Sequence, residues 1–345
     1  MGGEVHNIII SHRKLVAVSI EKINDIITTD VGGRGMRHLV VDGDLLAAAQ
    51  VLARLQPKQP SSSSSSSPIK PHVIFITGFP CCVNHYPPTE TDGVNGTFAL
   101  ASLAVLLGYH ATICTEKCNE DVFKAAASAE DRVLHTIDLV FVNEGDNYST
   151  SDKECINHLA RIADLVIACE RAGPASDGNC YTMRAINMTE SGFIAPLHTI
   201  VDITREAGVK FIAIGDGGNE LGMGKVLDKI RKEIPNGKKI GSVVRADYLI
   251  AASVSNWGAW ALVAATALIR YNDRNDGNDD EHGREACIHR LCTTEEAEIA
   301  LLNRVVEKGC RDGVTGLLDV TVDGMDIETN MMYFREIRNA ALNYA

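Results

Sequence analysis

The run Gly215-Asp216-Gly217-Gly218-Asn219-Glu220-Leu221-Gly222-Met223-Gly224 brings together residue types that do chemistry. Glycine lets the backbone turn sharply and come close to a ligand. Free amides at the start of a following helix favour an anion. Asp216 and Glu220 offer hard oxygen ligands to a divalent cation, and the spacing places Glu220 one turn into that helix, facing the same point. The run would serve equally as a tight turn with an acidic helix cap.

Three further segments repeat the pattern of an apolar run that opens into polar, glycine-bearing sequence. Val73-Ile74-Phe75-Ile76 leads into Thr77-Gly78-Phe79-Pro80 and then Glu90-Thr91-Asp92-Gly93. Leu165-Val166-Ile167-Ala168-Cys169 leads into Glu170-Arg171-Ala172-Gly173 and Asp177-Gly178-Asn179, and Tyr248-Leu249-Ile250-Ala251 into Ser253-Val254-Ser255-Asn256-Trp257-Gly258. Open parallel sheets bind ligands at the carboxyl ends of their strands, so the four endings are expected to converge on one site. Glu90, Asp92, Asp216 and Glu220 are the candidate metal ligands. Clustered carboxylates raise one another's pKa unless a cation or a basic group sits among them. Mn²⁺ or Mg²⁺ suits such a donor set, and Arg171 is a second source of positive charge. Glu170, Arg171 and Asp216 are the candidate catalytic residues. Thr77, Gly78, Gly217, Gly218, Asn219, Ser255 and Asn256 are the candidate substrate contacts, the two asparagines because they both donate and accept. His85 reads as a solvated loop residue, and Trp257 as packing for the helix that follows it.

These residues need a frame to hold them. Strands are predicted at 73–77, 111–115, 138–142, 164–169, 210–214 and 248–252, and helices at 96–107, 119–129, 152–162, 196–207, 220–233 and 257–270. That alternation implies an α/β fold with a mostly parallel, doubly wound sheet flanked by helices. Ahead of it, helices over 13–28 and 44–55 form a helical N-terminal arm, residues 1–56. Gly32-Gly33-Arg34-Gly35 lies between them and reads as a plain loop, with an anion-contacting loop as the alternative. Residues 57–71, which include the serine run 61–67, are a low-complexity insert expected to be disordered. The α/β domain occupies 72–345. Within it, 272–284 reads as a mobile surface loop, and a final helix-rich part carries Asp312-Gly313-Val314-Thr315-Gly316 and Thr321-Val322-Asp323-Gly324.

Composition narrows the function. A net charge of −12 argues against a general nucleic-acid or anionic-membrane binder, and no stretch is long and apolar enough for a transmembrane helix. The 10 cysteines are scattered and several sit in apolar runs, which fits a reduced, intracellular setting. The N-terminus has no signal-peptide core and too few arginines for a clear organelle presequence, which favours the cytoplasm. Cys114 and Cys118 have only His289 and Cys292 as a weak second pair for zinc. No phosphate-binding lysine loop, dinucleotide glycine fingerprint or nucleophile elbow occurs, so a P-loop NTPase, a nicotinamide dehydrogenase and a serine hydrolase are poor readings. A small-molecule substrate is expected, and the sequence leaves a homo-oligomer open.

Taken together, Thr77-Gly78-Phe79-Pro80, Glu90-Thr91-Asp92-Gly93, Glu170-Arg171-Ala172-Gly173, Asp177-Gly178-Asn179, the run 215–224, Ser255-Asn256-Trp257-Gly258 and Asp312-Gly313-Val314-Thr315-Gly316 resemble the C-terminal domain of the D-glutamate cyclase family, here as a stand-alone chain. The resemblance implies reversible dehydration of D-glutamate to 5-oxo-D-proline, a lyase reaction of D-amino acid metabolism. It also implies that a mitochondrial location is open, since animal members with cyclase activity are mitochondrial and join this domain to an N-terminal hydro-lyase-like one. Related stand-alone microbial domains imply Mn/Mg-dependent phosphatase chemistry as an alternative, and a non-catalytic binding module is the third. In the cyclase reading Arg171 would grip the α-carboxylate as a bidentate partner, a metal would polarise the γ-carboxyl, and a remaining carboxylate would take the ammonium proton.

Overall fold

The computed structural model describes residues 2–58, 69–127, 134–274 and 281–343, and side chains from Lys14 onward. The serine run therefore lies outside the described residues. In chain order the elements begin with α1 (Gly2–Ile27) and α2 (Asp44–Ala53). Then come β1 (His72–Gly78), α3 (Val94–Leu106), β2 (His110–Glu116), α4 (Glu120–Ala127), β3 (Asp138–Val142), α5 (Thr150–Ile162) and β4 (Leu165–Arg171). They continue with α6 (His198–Glu206), β5 (Lys210–Gly215), α7 (Leu227–Glu233), α8 (Gly237–Ile240), β6 (Tyr248–Ala251) and α9 (Ser255–Arg274). The chain closes with α10 (Glu281–Leu291), α11 (Glu295–Glu307), a hairpin of β7 (Thr321–Val322) and β8 (Met325–Asp326), and α12 (Ile327–Leu342).

Strands β1 to β6 form one six-stranded sheet in the order β3-β2-β1-β4-β5-β6, every neighbouring pair parallel. Successive strand residues point to opposite faces, and both faces are covered. Val73, Phe75, Ile113, Ile167, Ile212 and Ile250 join one hydrophobic cluster, while Ile74, Ile76, Cys114, Val166, Phe211 and Leu249 join the other. Continuous apolar strands of this kind are what a parallel sheet buried on both sides requires. The first face carries α1 to α4 and α9 to α12, and the second carries α5 to α7. Helix α9 is apolar around nearly its whole circumference, so it is enclosed rather than laid on the surface. Ile20, Ile23 and Ile27 of α1 and Leu45 and Leu52 of α2 enter the same core as α9.

Several expected boundaries differ: α1 runs back to Gly2 where a helix was expected from 13, and β4 runs on to Arg171 where a strand was expected to end at 169. A helix was expected over 220–233, but helix α7 starts only at Leu227, after a single tight turn at Gly224–Val226. The glycines of this run favour turns over helix propagation. Around 272–284, α9 continues to Arg274 and α10 starts at Glu281, so regular structure enters a segment whose composition suggested a loop, and 275–280 lie outside the described residues.

Candidate active site

The sheet reverses its winding between β1 and β4, the position at which doubly wound sheets leave a crevice at their carboxyl edge. A cavity of about 160 Å³ opens there, lined by Glu90, Glu170, Asp216, Asn219, Glu220 and Asp323 together with Arg34, Arg184 and Cys81.

Glu170 enters it through an irregularity in the strand. Thr77 pairs with Cys169 and Gly78 with Arg171, so Glu170 is an extra residue, and its φ of 43° lies in the left-handed region that non-glycine residues avoid. Such strain persists where the surroundings enforce it, commonly at functional sites. The bulge aims the Glu170 carboxylate at the cavity, where Oε2 accepts from Ser255 Oγ at 2.5 Å. Burial, then Glu220, Glu90 and Asp92, push the Glu170 carboxyl well above its ordinary value.

Glu220 shapes the glycine-rich loop. Its Oε1 accepts from the backbone N–H of Asp216 (3.0 Å) and Gly217 (2.5 Å), and its Oε2 from Gly218 N–H (2.7 Å). Gly217 and Gly218 thus contribute amides to their own loop. Asn219 donates through Nδ2 to the Tyr181 carbonyl at 2.7 Å. Asp92 lies behind the cavity at the start of α9, accepting from the N–H of Gly93 and Asn256 (both 2.8 Å) and Ser255 (2.7 Å). Burial and Asp323 push its carboxyl up to about 7 against the opposing pull of those amides. Asn256 Oδ1 accepts from Gly93 and Gly96 N–H, so this residue also braces the loop before α3. Glu90 is buried beside Cys81, with Cys81 Sγ 3.4 Å from Oε2, and burial holds its carboxyl well above the usual range. A Cβ at Gly313 would stand 1.8 Å from Glu90 Oε2, so the Asp312-Gly313 turn needs glycine to close this wall.

The central cation is Arg34. Its Nη2 donates to Asp216 Oδ2 at 2.5 Å, Asp323 Oδ2 at 2.6 Å and the Ser253 carbonyl at 3.0 Å. Asp216, then Asp323 and Glu170, hold the guanidinium above its ordinary pKa. Burial pushes the Asp216 carboxyl well above its ordinary value, Arg34 offsetting only part of the rise and Asp323, Glu170 and Glu220 adding to it. Arg34 arrives on a loop held by Asp30, whose carboxylate accepts from the N–H of Arg34 and Gly35, both at 3.1 Å. Asp323 arrives on the β7–β8 turn. The φ values of 55° and 77° at Asp323-Gly324 are those of a type I′ hairpin turn.

The structure brings Glu90, Glu170, Asp216, Asn219 and Glu220 together on the cavity wall and puts Asp92, Ser255 and Asn256 directly behind it. Arg171 is elsewhere. Its guanidinium is enclosed beneath the sheet edge, donating to Glu116 at 2.5 Å, to the Ala195 carbonyl at 2.8 Å and to the Gly78 carbonyl at 3.3 Å. Thr77 is buried within β1, Gly78 hands its carbonyl to Arg171, and Asp177 is exposed, paired with Tyr181. His85 is exposed. Arg34, Arg184 and Asp323 were not among the named site residues. The loop 32–35 reads in sequence as a plain loop with anion contact as the alternative, the Asp323-Gly324 turn is the signal for Asp323, and Arg184 has none. Asp216 belongs to two groups of carboxylates whose oxygens lie within 4.8 Å of one another, one with Glu170 and Glu220 and one with Asp92 and Asp323.

Over residues 23–338 the chain matches the family described as D-glutamate cyclase-like, C-terminal. It is 30% identical over 347 residues to human mitochondrial D-glutamate cyclase, an alignment that takes in 93% of this chain and 52% of that protein. The chain thus spans about half the length of the curated relative it matches. Among the described residues no helix is long and apolar enough to cross a membrane.

Proposed function

The chain belongs to the D-glutamate cyclase family, and from that premise we propose that its carboxyl-edge cavity carries out D-glutamate cyclase chemistry, the reversible loss of water from D-glutamate to give 5-oxo-D-proline. The supporting observation is the charge pattern. Buried carboxylates surround Arg34 on the floor, and Arg184 stands at the rim. D-Glutamate has the complementary pattern, an ammonium for the carboxylates and two carboxylates for the guanidinium groups. A cavity of about 160 Å³ is also too small for a drug-sized ligand, which needs roughly 300 Å³ or more.

In this reading Arg34 takes the part that the sequence suggested for Arg171, because Arg171 is already committed to Glu116. Ring closure needs a neutral amine and a protonated leaving oxygen. Asp216 keeps a proton affinity well above its ordinary value through burial and stands against Arg34 at 2.5 Å, which suits it to take the ammonium proton. Glu170, kept neutral by burial and neighbouring carboxylates, suits the opposite task. The N–Cδ bond forms and the C–O bond breaks; the leaving oxygen takes one proton from Glu170 and the second from the attacking nitrogen, which is left as the lactam N–H, and departs as water. Asp216 and Glu170, within 4.8 Å of each other, exchange the proton to reset the site.

The donor set also suits a divalent cation, Mn²⁺ or Mg²⁺. A carboxylate has about four lone-pair positions, and Asp216 and Glu170 each spend one on the bonds described, whereas Asp92 and Glu220 each spend three on backbone amides. In ionised form Asp216 and Glu170 would be the principal ligands, with Glu220 or Asp323 completing the set, and the cation would supply Lewis-acid polarisation of the γ-carboxyl in place of the proton that Glu170 gives in the metal-free arrangement. The test is turnover of D-glutamate, followed by chiral chromatography of 5-oxo-D-proline, with and without Mn²⁺, alongside calorimetric Mn²⁺ titration of wild type and Asp216→Asn. Cyclisation that Asp216→Asn abolishes supports the reading. Hydrolysis of a phosphomonoester without cyclisation replaces it with a metal-dependent phosphatase. Equal Mn²⁺ binding by both proteins, or none by wild type, removes the metal.

A further inference from the structure

We propose that Cys81 and Cys82 form a modification site, a vicinal dithiol in the wall of the cavity that a peroxide converts to a reversible disulfide. Its effect on turnover rests on the cyclase reading, while the modification itself does not.

The two sulfurs are already side by side. Cys81 N–H donates to the Phe79 carbonyl at 2.9 Å and Cys82 N–H to the Pro88 carbonyl at 3.0 Å, so both residues sit in a held turn, with their Sγ atoms 3.8 Å apart. Cys81 is half-buried and lines the open cavity, which brings a small oxidant to the pair, and Cys82 stands behind it, 8% exposed and with its sulfur 3.8 Å from that of Cys81. The pair also differs chemically from the other thiols. All ten cysteines are free. Burial pushes the thiols of Cys114, Cys118, Cys155, Cys169, Cys180, Cys287, Cys292 and Cys310 up, which makes them poor nucleophiles. Within the pair Cys81 is pushed well up, by its contact with Cys82 and by burial, while Cys82 alone is pulled down, by its contact with Cys81 and then by Arg311 and Arg184.

The reaction balances with hydrogen peroxide as the oxidant. The Cys82 thiolate attacks one peroxide oxygen, the O–O bond breaks and hydroxide leaves, giving a sulfenic acid. Cys81 sulfur then attacks that sulfur. An S–S bond forms, the S–O bond breaks, and the departing hydroxide leaves as water with the Cys81 proton. Consecutive Cα atoms stand about 3.8 Å apart across a trans peptide, below the roughly 4.4–6.8 Å usual for disulfides. The product is therefore strained and easily reduced, the property of a regulatory disulfide. Its formation removes the S–H that faces Glu90 Oε2 and changes the wall of the site.

The experiment treats the full chain with hydrogen peroxide, alkylates the remaining thiols after denaturation and maps the peptides by mass spectrometry. The expected product is a Cys81–Cys82 peptide two hydrogens lighter and unalkylated, restored by dithiothreitol. In Cys81→Ser, dimedone is expected to trap a sulfenic acid at Cys82. In Cys82→Ser, loss of D-glutamate turnover to peroxide slows at least roughly tenfold, because the favoured nucleophile is gone. Recovery of both thiols alkylated at a dose that oxidises other cysteines overturns the proposal, as does peroxide sensitivity unchanged in Cys82→Ser. A disulfide formed in a protein that never turns over D-glutamate leaves the modification site standing and sinks the cyclase reading instead.

Discussion

Two arginines face carboxylates near the carboxyl edge of the sheet, in opposite circumstances. Arg171 and Glu116 are sealed off, with side chains 1% and 0% exposed, and the pair also binds the backbone at Gly78 and Ala195. Arg34 keeps 23% of its side chain exposed and meets two aspartates at once, with Glu90, Glu170 and Glu220 nearby and in no ion pair among the described residues. The first arrangement is closed and charge-balanced, so it holds strand ends and a loop in register. The second is open and holds more carboxyl groups than cations, so it has capacity left for a ligand. Burial of an ion pair is therefore a poor marker of function here, and imbalance beside a cavity is the better one.

The largest effect that would sharpen this contrast is on stability. Arg171→Met leaves Glu116 buried without a countercharge, which is expected to cost about 3–5 kcal/mol in urea unfolding, and adding Glu116→Gln should recover much of it. A loss below about 1 kcal/mol would show that the pair is not structural. Arg34→Met is expected to do the reverse, lowering D-glutamate turnover by about 10²-fold or more, as removal of a charge-stabilising group does, while costing less stability than Arg171→Met. If the two variants exchange these outcomes, the comparison is wrong.

A subtler test uses pH. The Asp92 carboxyl is raised from 3.8 in the unfolded chain to about 7 in the fold. Between those values the native state holds the proton that the unfolded state has released, so this group's stabilisation is complete below about pH 4 and is lost as pH rises towards 7. Asp92→Asn should flatten that slope in thermal melts from pH 5 to 8, and an unchanged slope would place the titration elsewhere. The smallest effect is expected from Gly33→Ala. The site is open, with nothing within 4 Å of the added carbon, but its φ of 60° strains an L-residue by about 1 kcal/mol. A modest fall in turnover at almost unchanged melting temperature would show that the loop's left-handed turn presents Arg34.

Much of this was legible from local pattern. The apolar runs predicted the strands closely, since a strand buried on both faces leaves a continuous hydrophobic signature. Their polar endings placed Glu90, Glu170, Asp216 and Glu220 at one edge. The placement of Arg171 was not legible, because the predicted strand ended at 169 and the bulge that turns Glu170 into the cavity and Arg171 away from it has no signature in the local pattern. The part played by Glu220 was also hidden. A carboxylate that folds back onto the amides of its own glycine-rich loop looks in sequence like the start of a helix.

The sequence by itself determined the parallel sheet, the edge at which its polar residues gather and the excess of carboxylates there, because strand periodicity and backbone turning are local properties of a few consecutive residues. Only the tertiary structure decided which cation meets them. Arg34 reaches Asp216 across 182 residues and Asp323 across 289, brought there by α1 and α2 packing against α9 and by the β7–β8 turn. Charge pairing at that range depends on which loops the core brings together, and no spacing within a single segment encodes it.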